Sequence, residues 1–136
     1  MNDNVIVMPN GQKAIPEDPY AEGLEIIARI CHQTNKAYCE AGGDTSQVDW
    51  AECSDVQKKS SANGVLFLIQ NPGAGPDAAH QSWFDYYTGE GWTHGPVKNP
   101  ELKTHPCLVP YDDLPVWDKA KDAIFHAIVR AMTEVM

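Results

Sequence analysis

A proline-rich segment, residues 91–115, limits what this chain can fold into more than any other stretch. It reads GWTHGPVKNPELKTHPCLVPYDDLP and holds five prolines in 25 residues. Proline lacks a backbone N–H and clashes with the preceding helical turn, so the segment cannot form an α-helix. Two short apolar pieces, residues 96–97 and 107–109, predict a small two-stranded ribbon instead. Proline also restricts the unfolded chain, so ordering this loop costs less entropy.

Helical periodicity on both sides of this segment predicts a mainly α-helical domain. Four helices are expected, over residues 18–42, 55–71, 76–89 and from 115 to the C-terminus. Asp18 is the expected N-cap of the first helix, and Ser54 with Gln57 forms a capping-box pattern for the second. The last helix shows the most regular apolar stripe, made by Trp117, Ala120, Ile124, Ile128, Ala131, Met132 and Val135.

Length and charge limit the class of protein. The 136 residues suit one domain, expected over residues 18–136 behind a flexible leader of residues 1–17. A net charge of −9 repels a phosphate backbone, so a nucleic-acid polymer is not expected as partner. The sequence holds neither an apolar run of about 20 residues nor a signal peptide, so we expect a cytoplasmic protein without a membrane partner. The four cysteines are then expected to be reduced and buried.

Motifs of catalysis are missing from the sequence. It has no P-loop, no G-x-S-x-G elbow and no H-E-x-x-H pair, and its histidines lack zinc-ligand spacing. His105 and Cys107 resemble a nucleophile pair, but the apolar residues after Cys107 favour a buried thiol. We therefore predict no catalytic residue, no metal and no cofactor.

Binding chemistry is better supplied, and Trp92 is the main candidate. It lies on the stiff loop and not on an apolar stripe, where an indole can stack on a flat ring such as a nucleobase, worth about 1–3 kcal/mol. Lys98 follows closely and could contact a phosphate. The alternative is that Trp92 fills the core beneath the loop, and spacing alone favours this alternative.

Three motifs resemble the ryanodine-receptor (RyR) repeat family over roughly residues 24–133. They are Gly91-Trp92-x-His94-Gly95-Pro96-x-Lys98, then His105-Pro106-Cys107-Leu108-Val109-Pro110-Tyr111, and upstream His80-x-x-Trp83. The first helix, with Cys31-His32-x-x-Asn35-x-x-Tyr38, is similar to stand-alone phage and bacterial members. The chain departs from the pattern at His94, where the family usually carries tyrosine.

The resemblance implies two helix pairs around a short antiparallel β ribbon. It also implies that a single repeat forms a homodimer, in which the proline-rich loop of a second copy completes the ligand pocket. Adenine nucleotides are the implied ligands, with Trp92 stacking on the base. The candidate ligand-binding residues are Trp92, His94, Lys98, His105, Trp83, Tyr38, Arg29 and Trp50.

Three functions compete at this point. The first is a binding module for a nucleotide-type ligand, whose concrete version is a phage protein that sequesters a defence signal such as a cyclic ADP-ribose-like molecule. The second is a protein-interaction module without a small-molecule ligand. The third, an enzyme that hydrolyses such a nucleotide with His105 or His94, is the least favoured.

Overall fold

Four α-helices form the body of the protein, as the sequence predicts. The computed structural model describes the backbone of residues 19–135 and the side chains of residues 22–135. The helices are α1 (Pro19–Ala41), α2 (Asp55–Gln70), α3 (Pro76–Gly89) and α4 (Val116–Thr133). Two short strands, β1 (Thr93–His94) and β2 (Thr104–His105), lie between α3 and α4. The expected leader and the Asp18 cap lie outside the described residues.

The start of α2 follows the local sequence. The Ser54 hydroxyl accepts a hydrogen bond from the backbone N–H of Gln57 at 3.2 Å, which satisfies one free donor of the first turn. The Gln57 side chain does not return to the cap. It donates to Gln47 Oε1 at 3.4 Å, so only half of the capping box forms.

The helices pack in a ring, in which each contacts its neighbours in the order α1, α2, α3, α4 and back to α1. Helix α1 runs antiparallel to both of its neighbours. Ala28 contacts Ser61 on α2, while His32, one turn later, contacts Cys53 before the start of α2. Cys31 contacts Phe125 on α4, while Tyr38 near the end of α1 stacks on Trp117 at the start of α4. The buried centre of the ring is apolar and is formed by Leu24, Ile27, Ala28, Val65, Leu68 and Val129. Within the described residues, no helix is both long enough and apolar enough to cross a membrane.

The β ribbon is parallel, so the expected antiparallel ribbon is wrong in direction and in position. Thr93 pairs with Thr104, and His94 pairs with His105. Asn99 forms an antiparallel bridge with Thr104, so the chain reverses once before Asn99 and again after it, and β2 runs along β1. Gly95 permits the close approach, because a Cβ there would lie 2.6 Å from Cβ of Thr104.

The loop between the ribbon and α4 packs against α3 through a second, smaller apolar cluster. Its buried members are Tyr87, Trp92 and Leu108, and Trp83 and Phe84 border it. Trp92 is 8% exposed, and its ring meets the ring of Tyr87 edge-on, with centroids 5.0 Å apart. This cluster fixes the proline-rich segment over one side of the helical ring.

Candidate functional site: a cavity between the helices

A cavity of about 190 Å³ lies between the four helices, under the loops that carry Lys98 and His105. Its two ends differ in polarity. The apolar end is lined by Cys31, Gly64, Ala79, Ile124 and Phe125. The polar end is lined by Asn35, Gln47, Gln57, Lys98, Asp118 and Lys121.

Two lysines face the polar end, and their surroundings differ. Lys121 Nζ lies 3.1 Å from a carboxylate oxygen of Asp118, one turn earlier on α4. Lys98 is half-buried, and no carboxylate of the described residues lies within ion-pair distance of its amino group. Burial lowers the pKa of Lys98, and an anion placed beside it would favour the charged form again.

His80 connects three parts of the cavity wall through one ring. Its Nε2 lies 2.8 Å from the carbonyl oxygen of Val109 in the loop before α4, and its Nδ1 lies 3.3 Å from the Asp122 carboxylate. Burial lowers the pKa of His80, but the two acceptors outweigh it, so the net shift is upward. An imidazolium donates to both partners at once, which a neutral ring cannot do.

His105 is the neutral histidine of the cavity. Its Nδ1 accepts a hydrogen bond from the backbone N–H of Cys107 at 3.0 Å, so the ring proton of the neutral form sits on Nε2. Burial lowers the pKa of His105 to about 4, and the nearby Lys98 and Lys121 charges act in the same direction. His105 therefore offers the cavity a donor without adding charge.

Aromatic rings form one wall of the cavity. Trp83 and Tyr87 follow each other by one turn on α3, with ring centroids 4.9 Å apart. His105 meets Trp83 edge-on, also at 4.9 Å. Trp92 contacts this wall from behind through Tyr87 and does not line the cavity. It holds the wall in place instead of forming its surface.

Three of the eight predicted ligand-binding residues, Lys98, His105 and Trp83, line the cavity together. The other five do not line the cavity; they are Trp92, His94, Tyr38, Arg29 and Trp50. His94 and Arg29 are exposed, on β1 and α1 respectively.

Tyr38 and Trp50 have structural contacts of their own. The Tyr38 ring stacks on Trp117 at 4.0 Å, and its hydroxyl donates to the Trp117 carbonyl oxygen. The Trp50 ring is buried near His32, and its backbone N–H donates to Gln33 Oε1 at 2.9 Å. Both aromatic rings are thus occupied within the protein.

Sequence reasoning missed the charged residues of the cavity on α3 and α4. They are His80, Asp118, Lys121 and Asp122. The three on α4 are spaced at three and four residues, so they share one helical face beside the apolar stripe. This spacing is the sequence pattern that indicates them. For His80, the sequence offers only the H-x-x-W motif, which does not indicate a charged contact.

The cysteines are all free thiols, and Cys31, Cys39 and Cys53 are buried as expected. Cys107 is half-buried instead, and it lines the cavity. Burial raises the pKa of the Cys107 thiol to about 12, so it is protonated at neutral pH. The adjacent His105 directs its Nδ1 to the backbone N–H of Cys107 and not to the thiol, so the two side chains do not form a nucleophile pair through this nitrogen.

Comparison with known protein families gives a match for the second half of the described chain. No curated protein matches the chain in sequence. The sequence model of the RyR domain matches residues 76–134, which comprise α3, the ribbon, the loop and α4. The match includes every lysine and histidine of the cavity lining except His32. Residues 76–134 of this chain therefore match the RyR domain family.

Proposed function

We propose that this protein is a non-catalytic binding module that holds a small nucleotide-type ligand in the cavity between its helices. The observation that carries the proposal is Lys98, a half-buried cation beside an aromatic wall, with no carboxylate partner among the described residues. A buried cation without a counterion is costly unless an anion joins it. The ligand would supply that anion.

The cavity lining suits the two halves of a nucleotide. Lys98 and the Nε2–H of His105 can contact an anionic oxygen at the polar end. Trp83 and Tyr87 offer an apolar wall for a flat ring. The volume of about 190 Å³ is below the roughly 300–1,000 Å³ typical of sites for drug-sized ligands. A mononucleotide, or the base and one phosphate of a larger molecule, therefore fits better than an enclosed dinucleotide.

The match of residues 76–134 to the RyR domain supports adenine nucleotides and cyclic ADP-ribose-like signals as candidates, which the resemblance implies as ligands. If the protein is encoded by a phage, binding without turnover would sequester such a signal from the host. The proposal assigns the direct contacts to Lys98, His105 and Trp83, and gives Trp92 a supporting position.

Isothermal titration calorimetry against adenine nucleotides and cyclic ADP-ribose tests this function. The matched variants are Lys98→Met, which removes the cavity cation, and Lys59→Met, which removes the same charge from an exposed position on α2. We expect wild type and Lys59→Met to bind equally, and Lys98→Met to lose at least about tenfold in affinity. The absence of heat from every ligand would refute the proposal, and recovery of cleaved ligand would refute a non-catalytic role.

A homodimer is the second part of the proposal, because the resemblance implies that a partner loop completes the pocket. Native mass spectrometry of the purified protein reports the oligomeric state and any co-purified small molecule together. A monomer that binds ligand would show that one chain suffices.

A protein-interaction module is the alternative, and two exposed apolar residues on the loop between the strands favour it. Val97 is 67% exposed and Leu102 is 71% exposed. If Val97 and Leu102 form a partner surface, replacing both by serine should abolish capture of that protein partner. If the protein is a nucleotide-binding module instead, the same replacement should leave ligand affinity unchanged.

A further inference from the structure

The charges that line the cavity pair with one another except for one. Asp118 lies beside Lys121, and Asp122 lies beside His80. The remaining charged side chain is Lys98, since His105 is held neutral by burial and by the hydrogen bond that its Nδ1 accepts. The third histidine of the lining, His32, contacts the Val48 carbonyl and the Cys53 thiol and no carboxylate. With His80 protonated and His32 neutral, the described lining therefore carries a surplus of one positive charge.

We infer that the cavity selects ligands whose enclosed group carries a single negative charge, a phosphodiester above all, over ligands that enclose a phosphomonoester dianion. This inference rests on the proposed nucleotide-binding function and adds the charge class of the ligand. A phosphodiester oxygen pair can face Lys98 and the Nε2–H of His105 together, which satisfies both donors.

A second negative charge would have no counterion in the lining. Lys121 and His80 are already committed to carboxylates at 3.1 and 3.3 Å, and releasing either one would leave its aspartate unpaired. The net charge of −9 on the chain also opposes a more negative ligand. A phosphomonoester carries close to two charges at neutral pH, because its second pKa is about 6.

The test compares cyclic and open monophosphates of the same nucleoside, which share the base and the sugar. Affinities of cyclic AMP against AMP, and of cyclic GMP against GMP, are measured by calorimetry on the full chain at about pH 7.5, where the open forms are mainly dianionic. We expect the cyclic member of at least one pair to bind roughly tenfold tighter or more than its open partner.

Two variants separate charge from shape. Asp118→Asn keeps the outline of the side chain but removes one negative charge from the lining, so it should narrow the preference for the cyclic form by roughly tenfold. Lys59→Met changes the charge of the exposed face of α2 and should leave the preference unchanged. A thermal unfolding curve for each variant confirms that it is folded before its affinities are compared.

The outcomes distinguish this inference from the function on which it rests. If the open form binds as tightly as the cyclic form, or more tightly, the nucleotide-binding function stands and the charge selection is wrong. A preference for the cyclic form that Asp118→Asn leaves unchanged means that shape selects the ligand, and this also overturns the inference. If none of the four nucleotides binds, the charge selection is overturned, and the titration against cyclic ADP-ribose decides whether nucleotide binding fails with it.

Discussion

Replacing His80 by leucine would remove a link between α3, α4 and the loop that covers the cavity. The imidazole bonds the Val109 carbonyl at 2.8 Å and the Asp122 carboxylate at 3.3 Å. Leucine fills similar space but leaves the partly buried Val109 carbonyl without a donor and the Asp122 carboxylate without its cation. Removing one partner of a buried ion pair costs about 3–5 kcal/mol, and the Asp122 side chain is 19% exposed, so we expect about 3 kcal/mol.

The pH dependence of this loss is the more specific signature. The folded protein raises the pKa of His80, so the stability it contributes is fully present below the unfolded value of about 6.5 and is lost as the pH rises through the folded value. The free-energy difference between wild type and His80→Leu should therefore be largest near pH 6 and shrink as the pH rises above the unfolded value. Burial also raises the pKa of Asp122, so the titration of this carboxylate adds to the pH dependence at the acidic end of the range.

Urea unfolding followed by tryptophan fluorescence measures these free energies. His94→Leu is the matched control, because it removes an exposed histidine on β1 and should leave both stability and its pH dependence close to wild type. In a double-mutant cycle with Asp122→Asn, the two losses should be less than additive. A loss in His80→Leu that is the same at every pH would refute the ion pair and leave the ring only its packing and its hydrogen bond to Val109.

Three further predictions concern the surroundings of the cavity. Arg130 donates to three backbone carbonyls between residues 68 and 74, so Arg130→Lys, which cannot reach all three, should lower the unfolding free energy by about 2 kcal/mol in urea titrations. A Cβ at Gly42 would lie 2.4 Å from the Trp117 ring, so Gly42→Ala should displace that ring and change the near-ultraviolet circular dichroism, while an unchanged spectrum would contradict the contact. Trp92→Phe should retain ligand affinity within about threefold, whereas Trp92→Ala should lose about 3–5 kcal/mol of stability; a Phe variant that is folded yet does not bind would show that the indole touches the ligand.

The helices could be predicted from the sequence because their signals are local. Ser54 is the N-cap of α2, Pro76 is the first residue of α3, and Pro115 is the N-cap of α4. These residues predict the start of each helix to within one or two residues. The apolar stripe of α4 was less accurate: Val129 is fully buried, whereas Val135 is 76% exposed. Because α4 contacts all three other helices, its buried surface is wider than the one face that periodicity describes.

The ribbon and the cavity depend on contacts that are distant in sequence. A parallel pairing of Thr93 with Thr104 requires two chain reversals, and local turn residues do not specify how those reversals combine. The pairing of His80 with Asp122 joins two helices that are separated by the whole proline-rich segment. Residue types therefore indicated a lysine and a histidine of the site, but not the ion pairs that determine its charge.

The cavity lining comes from two parts of the chain, one inside the segment that matches the RyR domain and one before it. Residues 76–134 supply the lysines, both aspartates and the aromatic wall. The first two helices and the loop between them supply the rest of the lining, which is Cys31, His32, Asn35, Gln47, Gln57, Ser60, Ser61 and Gly64. A chimera that keeps this matched segment but receives different first and second helices would retain the charge of the cavity and change its shape. Under the proposed function, exchange of residues 19–70 is therefore a route to changing which ligand fits the cavity while Lys98 stays in place.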